Sequence, residues 1–267
     1  MSNLTILRTY AQKADPSSLS PSILFTHSDQ FLTIFDAYPK AIFHFLVLPR
    51  TASTVSGYIT STRSSSASDA ALTMADFSNL RSLLKHPRAK EVLDDFKREA
   101  EEVKEKIVEE MMGRYGFKWD LWIGFHAVPS MEHIHLHIIS SDLCAPSLKN
   151  KKHYNSFHPK EGFFLHLDEV LDLFEGGSST TTKLPLSPSQ YEAILKRPLA
   201  CFKCHSEMKN MPTLKKHLQE EWEKQKEREK CLRVEKNATG DKRKRDTDEL
   251  EMRDGAGDNS KHSRKEE

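Results

Sequence analysis

The sequence predicts an α+β fold: an antiparallel sheet of five or six strands flanked by helices, with a small cysteine-bearing unit behind it. Three observations predict it. Short runs rich in β-branched and aromatic residues recur at 31–35, 42–48, 121–125, 133–139 and 163–167, the signature of strands. A long segment, 88–112, repeats apolar residues every three or four positions, the period of a helix with one buried face. Three of the four cysteines fall at 201, 204 and 231, in or at the edge of a separate stretch.

In chain order, Phe31–Phe35 and Ile42–Leu48 read as strands. The Asp36–Ala41 segment between them reads as a loop, because Pro39 cannot donate to a central ladder. Residues 51–70 hold eleven Ser or Thr and read as an insertion. Residues 71–86 and 88–112 read as helices. In the second, Val92, Leu93, Phe96, Ala100, Val103, Ile107 and Met111 make the apolar face, and Gly113 or Gly116 can end it. The strands at 121–125 and 133–139 follow, and Phe163–Leu167 makes a further one. Together, 1–175 form one domain. Residues 176–189, opening on Gly-Gly-Ser-Ser-Thr-Thr-Thr, form a linker. A second unit spans 190–231. The tail 232–267 has ten basic, ten acidic and only six apolar residues, too few to offset ordering entropy, so it is expected to be disordered.

The chain has 267 residues, with 40 Lys+Arg against 39 Asp+Glu. Near-zero net charge neither implies nor excludes a nucleic-acid partner. Four cysteines do not make a disulfide-rich secreted scaffold. No apolar run approaches the ~20 residues of a membrane span, and the N-terminus lacks the basic and apolar regions of a secretory signal. The expectation is a soluble protein of a reducing, intracellular compartment.

The most informative segment is Met131–Ile139. His133, His135 and His137 alternate with Ile134, Leu136 and Ile138. Along a strand, alternate side chains share a face, so three imidazoles are expected on one face and an aliphatic set on the other. Imidazole titrates near neutrality. A row of them suits a phosphate, with one nitrogen attacking phosphorus and its neighbours donating to the oxygens. A metal site is the alternative, although the strand itself carries no Asp or Cys.

His-x-His-x-His with apolar spacers resembles the signature of the histidine-triad nucleotide hydrolases and transferases. Gly124–Met131 before the triad, Asp36–His44 and Ser147–Phe157 are similar to segments of one branch, the aprataxins, DNA 5′-adenylate hydrolases. The likeness runs over roughly 5–230. It implies a histidine-triad fold and an enzyme that removes AMP from 5′-adenylated DNA ends left by abortive ligation. The forkhead-associated domain of animal aprataxins is missing, which points to the fungal type. By this resemblance His135 is the nucleophile that attacks the α-phosphorus, expelling the DNA 5′-phosphate, and water then hydrolyses the His135–AMP intermediate. His133 and His137 orient and polarise nucleophile and phosphate. His126 contacts the phosphate and protonates the leaving group. Ser130 bonds a phosphoryl oxygen, Asp36 accepts from the ribose hydroxyls, Lys40 and Lys149 meet phosphates, and His44 lines the site. No catalytic metal is expected. Family members press a wedge from the N-terminal helix against the exposed base pair, for which Leu7 and Tyr10 are the candidates here.

Cys201-x-x-Cys204 is followed by twelve residues and His217, the spacing of a zinc finger without its second histidine. Residues 212–222 read as a helix, on which His217 and Glu221 share a face. Carboxylate oxygen is an accepted zinc ligand. The expected structural site is therefore Cys201, Cys204, His217 and Glu221, with one ion per chain; His205 and Cys231 are rival fourth ligands. Lys209, Lys215 and Lys216 suit contact with a phosphate backbone. Lys242–Arg245 resembles a nuclear localisation signal, so the nucleus is the expected location. The expected partners are nicked or broken DNA, with RNA–DNA junctions left open, and AMP as product; the chain is expected to be monomeric and off the membrane. Two rival readings remain: a hydrolase of small nucleotides, for which a finger has no use, and a DNA-binding module with an inert triad.

Overall fold

The computed structural model describes residues 4–51, 71–175 and 183–254, with side chains to 233. The insertion beyond Thr51, the first part of the linker and the side chains of Lys242–Arg245 lie outside the described residues. The chain divides into two compact units, Met1–Glu221 and Trp222–Glu267.

In the first unit, six strands form one antiparallel sheet: β1 Leu24–His27, β2 Phe31–Phe35, β3 His44–Pro49, β4 Leu121–His126, β5 Leu136–Ser140 and β6 Phe164–His166, ordered β1-β2-β3-β5-β4-β6. The expected strands are all present, and β1 joins them. Its sequence, Leu24-Phe-Thr-His27, is too short to carry a legible alternation. The triad strand is shorter than its pattern: β5 begins at Leu136, after His133 adopts φ 82°.

Cross-strand register divides the sheet into two faces. Leu46 pairs with His137, Gly124 with His137, and His126 with Phe164, so these side chains share one face with His44 and Ile139. Phe45, Val47, Leu136, Ile138 and Phe125 take the other. That second face is covered by the helix predicted from its periodicity, α3 (Ala89–Tyr115), whose seven predicted apolar positions are all buried. Phe96 of α3 packs its ring 4.9 Å from Phe31 and 5.4 Å from Phe125. Gly116, at φ 79°, ends this helix. Upstream, the helix expected over 71–86 is only a 3₁₀ turn, Asp76–Ser78, and one α turn, α2 (Leu80–Leu83).

Among the described residues the first face is covered at its two ends. Near β1–β3, α1 (Ile6–Ala11) closes a core of Leu7, Leu19, Leu32, Ile34, Leu46 and Leu48. Beyond β5, α4 (Lys151–Phe157) and the cysteine-bearing unit share a second core, in which Tyr154, Phe157 and Phe164 meet Leu199, Cys201, Phe202, Leu214 and Leu218. Between these two covers, among the described residues, lies a cavity lined by buried histidines.

The short helix α5 (Leu167–Asp172) follows β6, and α6 (Pro188–Ile194) precedes the finger. The finger is the ladder β7 (Leu199–Ala200) with β8 (Glu207–Met208), then the start of α7 (Met211–Asp254). The helix α7 continues through the second unit to Asp254, into the stretch whose composition assigns no element. Its Lys, Glu and Arg residues are good helix formers without an apolar stripe. There Lys226 and Lys230 pair with Glu223 and Glu227 three positions back. Among the described residues no helix is long and apolar enough to cross a membrane.

Candidate active site and zinc finger

A cavity of about 410 Å³ opens in the uncovered part of the sheet, with His44, His126, His135 and His137 in its wall. Strands β3, β4 and β5 each bring an imidazole to the same face, and His135 stands just before β5. The rings crowd together: His126–His137 centroids are 4.3 Å apart, His135–His137 5.0 Å and His44–His137 5.3 Å. Phe157 of α4 packs within 5.2 Å of His44, His126 and His137, forming an apolar back to the cluster.

The hydrogen bonds fix how these rings present themselves. A carbonyl oxygen only accepts. His135 Nδ1 lies 2.8 Å from the His133 carbonyl, so Nδ1 carries the proton and Nε2 keeps its lone pair. The Lys40 backbone N–H donates to His44 Nδ1 at 3.3 Å, which places the His44 proton on Nε2. That nitrogen lies 3.0 Å from His137 Nδ1 and donates to it. The His137 proton then sits on Nε2, buried and without a partner among the described residues. The cavity therefore holds a bare nitrogen on His135 and an N–H donor on His137. His126 Nε2 is likewise buried and unpartnered.

Burial penalises every imidazolium here. It lowers His44 to about 4, against the pull of Asp36, and lowers His135, against the His133 carbonyl and Asp36. His126 and His137 fall well below 6.5 through burial and their neighbours' charges. The row is thus neutral at physiological pH. An anionic phosphoryl group would supply the opposite charge that shifts such groups upward.

His133 differs from the expectation of three imidazoles on one face. Its left-handed backbone turns the ring away from the cavity, and Nε2 donates to the Pro49 carbonyl at 2.9 Å. Burial lowers it to about 4. It acts on His135 through its carbonyl. The imidazoles that replace it in the cavity come from β3 and β4.

The remaining expected residues divide. Asp36, Lys40 and Ser130 line the cavity. Asp36 Oδ2 is 3.7 Å from His44 Nε2, and its Oδ1 accepts from the Tyr38 N–H at 2.7 Å. Asp36, His44 and His137 thus offer donor atoms within 4.8 Å of one another. The Lys40 N–H facing His44 Nδ1 keeps the proton on Nε2, however, and a metal needs that nitrogen bare. Lys149 is exposed and outside the cavity wall, where Lys152 and His153 of α4 stand instead. Leu7 is a correction: at 2% exposure it belongs to the core under α1, and Tyr10 packs half-buried on the same core. A wedge must be exposed, and in this region Leu4, 53% exposed, reaches the cavity rim. Leu7 and Leu4 are three positions apart, so spacing alone does not say which is buried. Sequence reasoning also passed over Tyr38, Lys152 and Phe157, each inside a segment already singled out.

In the finger, Cys201, Cys204 and His217 bring three ligand atoms within 4.8 Å, with Cys204 Sγ 3.3 Å from His217 Nε2. The Ser206 hydroxyl, 3.3 Å from Cys204 Sγ, leads the interactions that lower this thiol to about 7. Two thiols and an imidazole converging this closely fit a tetrahedral metal. The turn between the cysteines' strands is closed by Cys201 N–H to the Ser206 carbonyl, 2.9 Å, and His205 N–H to the Cys201 carbonyl, 2.8 Å. His205 sits at φ 60° in that turn and is not in the cluster. Neither is Cys231, nor Glu221, which lies one helical turn beyond His217. Lys209 and Lys216 are exposed, Lys215 is half-buried, and none lines the cavity.

Residues 70–153 match the family described as "Scavenger mRNA decapping enzyme C-term binding", and 160–224 match "C2HE / C2H2 / C2HC zinc-binding finger". The chain is 30% identical over 215 residues to aprataxin of Gallus gallus, covering 80% of this chain and 56% of that protein. It is 36% identical over 102 residues to an aprataxin-like protein of Schizosaccharomyces pombe, 38% of each. Among solved structures it is similar to "Hnt3 in complex with DNA and guanosine", with 25% identity and a TM-score of 0.58 over 84% of this chain and 97% of that one. The chain belongs to the aprataxin branch of the histidine-triad superfamily. It spans about half the length of the animal aprataxins it matches. As in the name of the matched finger family, the aprataxin unit here carries two cysteines and one histidine in place.

Proposed function

We propose that the chain is a DNA-repair hydrolase that removes AMP from 5′-adenylated DNA ends and restores the 5′-phosphate. The observation that carries this reading is the His135 Nδ1–H bond to the His133 carbonyl, which leaves Nε2 as a nucleophile in a nucleotide-sized cavity. His135 Nε2 forms a bond to the α-phosphorus while the bond to the DNA 5′-phosphate oxygen breaks, and His126, protonated to imidazolium once the anionic substrate is bound, gives the leaving oxygen its proton. The His137 Nε2–H and Ser130 steady the phosphoryl oxygens, Asp36 accepts from the ribose hydroxyls, and Lys40 and Lys149 meet the phosphates. Water then displaces His135 from phosphorus and AMP departs. The solved aprataxin relative bound to DNA and guanosine supports the choice of a nucleic-acid substrate.

Zinc, held by Cys201, Cys204, His217 and Glu221 with one ion per chain, would supply cross-linking of the finger and no chemistry in the cavity. Lys242–Arg245 would direct the chain to the nucleus.

The test is a nicked duplex with a 5′-AMP cap, followed for AMP release. The wild type is expected to release AMP and restore a ligatable 5′-phosphate. His135→Ala is expected to bind the nick and lose at least about 10³-fold in rate. Absence of AMP release by the wild type, or full rate in the variant, overturns the assignment.

A further inference from the structure

The cavity has two rims of different chemistry. Leu4 and Met131 make one of them apolar. On the other, Tyr38 and Lys40 stand on the β2–β3 loop and Lys152 and His153 on α4. Tyr38 is the most exposed of the large hydrophobic side chains described, at 72%. Its backbone is nonetheless pinned: the N–H donates to Asp36 Oδ1 at 2.7 Å, and the carbonyl accepts from Lys40 Nζ. The ring therefore stands in water on an ordered loop rather than on a frayed one. An aromatic held this way offers a flat face to a ligand at low entropic cost.

Its neighbours are cationic. Lys152 is exposed and has no ion-pair partner among the described residues. Lys40 and Lys149 both act on His153, which burial and these charges push below its usual pKa, so the cations share one field. The groove on the other side of Ser130, about 340 Å³, is different. Ser78 and Asn79 bond each other there, Glu132 is paired with Arg8, and Arg81 is engaged by the Leu186 carbonyl, so its charges already have partners.

We propose that the rim of Tyr38 and Lys152 is a strand-binding subsite, where Lys152 meets a phosphate next along the leaving DNA strand and Tyr38 stacks on one of its bases. The strand then leaves the cavity over α4 and the β2–β3 loop, where the unpaired cation and the exposed ring stand. Stacking on an aromatic is tolerant of sequence, as an enzyme of broken ends requires. This subsite rests on the proposed function, with AMP on one side of the scissile bond and DNA on the other.

The test compares 5′-adenylated DNA with adenosine 5′-phosphoramidate, which undergoes the same nucleotidyl transfer without a strand. In Tyr38→Ala, kcat/KM for the capped DNA is expected to fall about tenfold more than for the phosphoramidate, and Tyr38→Phe is expected to restore it. Binding of an uncapped, 5′-phosphorylated strand, read by fluorescence anisotropy, should weaken about tenfold in Tyr38→Ala. In Lys152→Ala the slope of log Kd against log salt should fall by about one. Equal losses on the two substrates would assign the ring to the adenosine half and overturn the proposal. Wild-type strand affinity and salt slope in both variants would overturn it as well. A wild type that binds the strand through Tyr38 and Lys152 but releases no AMP keeps this subsite and overturns the hydrolase reading instead.

Discussion

His44 shows how one side chain sets the chemistry of another. It touches no nucleophile, yet it passes the direction of the Lys40 N–H through its own ring to His137. In His44→Ala that constraint disappears, His137 is free to carry its proton on Nδ1, and its Nε2 stops donating. Loss of one such donor is expected to lower kcat by about 10²-fold, measurable on capped DNA, with strand affinity the control. The same burial makes the site sensitive to acid. His44 and His133 each fall from an ordinary 6.5 to about 4. Below pH 6.5 the unfolded chain takes up protons that the folded chain refuses, so stability falls as the pH drops from 6.5 to 4, by about 3 kcal/mol for each residue across that window. Urea midpoints at pH 7.5, 6.0 and 5.0 are expected to decline in that order; a midpoint constant to pH 5 would contradict neutral, buried imidazoles.

At the scale of elements, Gly124 decides how closely β4 and β6 approach. It pairs with His137 on one side and His166 on the other. A Cβ here would meet the Leu165 carbonyl oxygen at 2.3 Å and Phe164 Cε1 at 2.7 Å, and a backbone oxygen in a ladder cannot swing aside. Gly124→Ala is expected to destabilise the fold by about 1–3 kcal/mol, read as a lowered urea midpoint, and to displace His126 two residues on. Helix α4 has the complementary role. Its Phe157 backs the imidazoles, while its Tyr154 hydroxyl donates to the Ala200 carbonyl at 2.8 Å and accepts from the Phe202 N–H at 3.0 Å. Asn155 of the same helix donates to the Arg197 carbonyl at 3.0 Å. One seven-residue helix thus joins the histidine cavity to the finger.

For the molecule as a whole, this junction means that the finger is not an appendage. The sequence reads residues 1–175 and 190–231 as separate domains with a linker between them, whereas the first compact unit runs from Met1 to Glu221 and one core holds Phe157, Phe164, Cys201 and Leu218 together. Removing zinc is therefore expected to loosen the catalytic sheet as well. Chelation should lower the melting temperature by at least about 5 °C in a single transition. Cys201→Ser, measured for zinc content and melting, should match the chelated wild type. Two separated transitions, with the upper one unmoved by chelation, would show the finger to be independent.

The period of α3, the alternation around Leu136–Ile138 and the Cys-x-x-Cys spacing were legible in the sequence because each is a local pattern repeated within a few residues. They sufficed for the fold class and for the cluster of Cys201, Cys204 and His217. What sequence could not decide was direction. Three histidines at a period of two imply one face, but a single left-handed residue, His133, moves its ring to another, and only the ladder between β3, β5 and β4 brings His44 and His126 in to take its place. Leu7 and Leu4 are alike as residues, and burial under α1 separates them. Such choices depend on contacts between separate segments of the chain, as between His44 and His137, where no local pattern carries the information and tertiary packing alone settles which side chain is covered and which is left to meet a ligand.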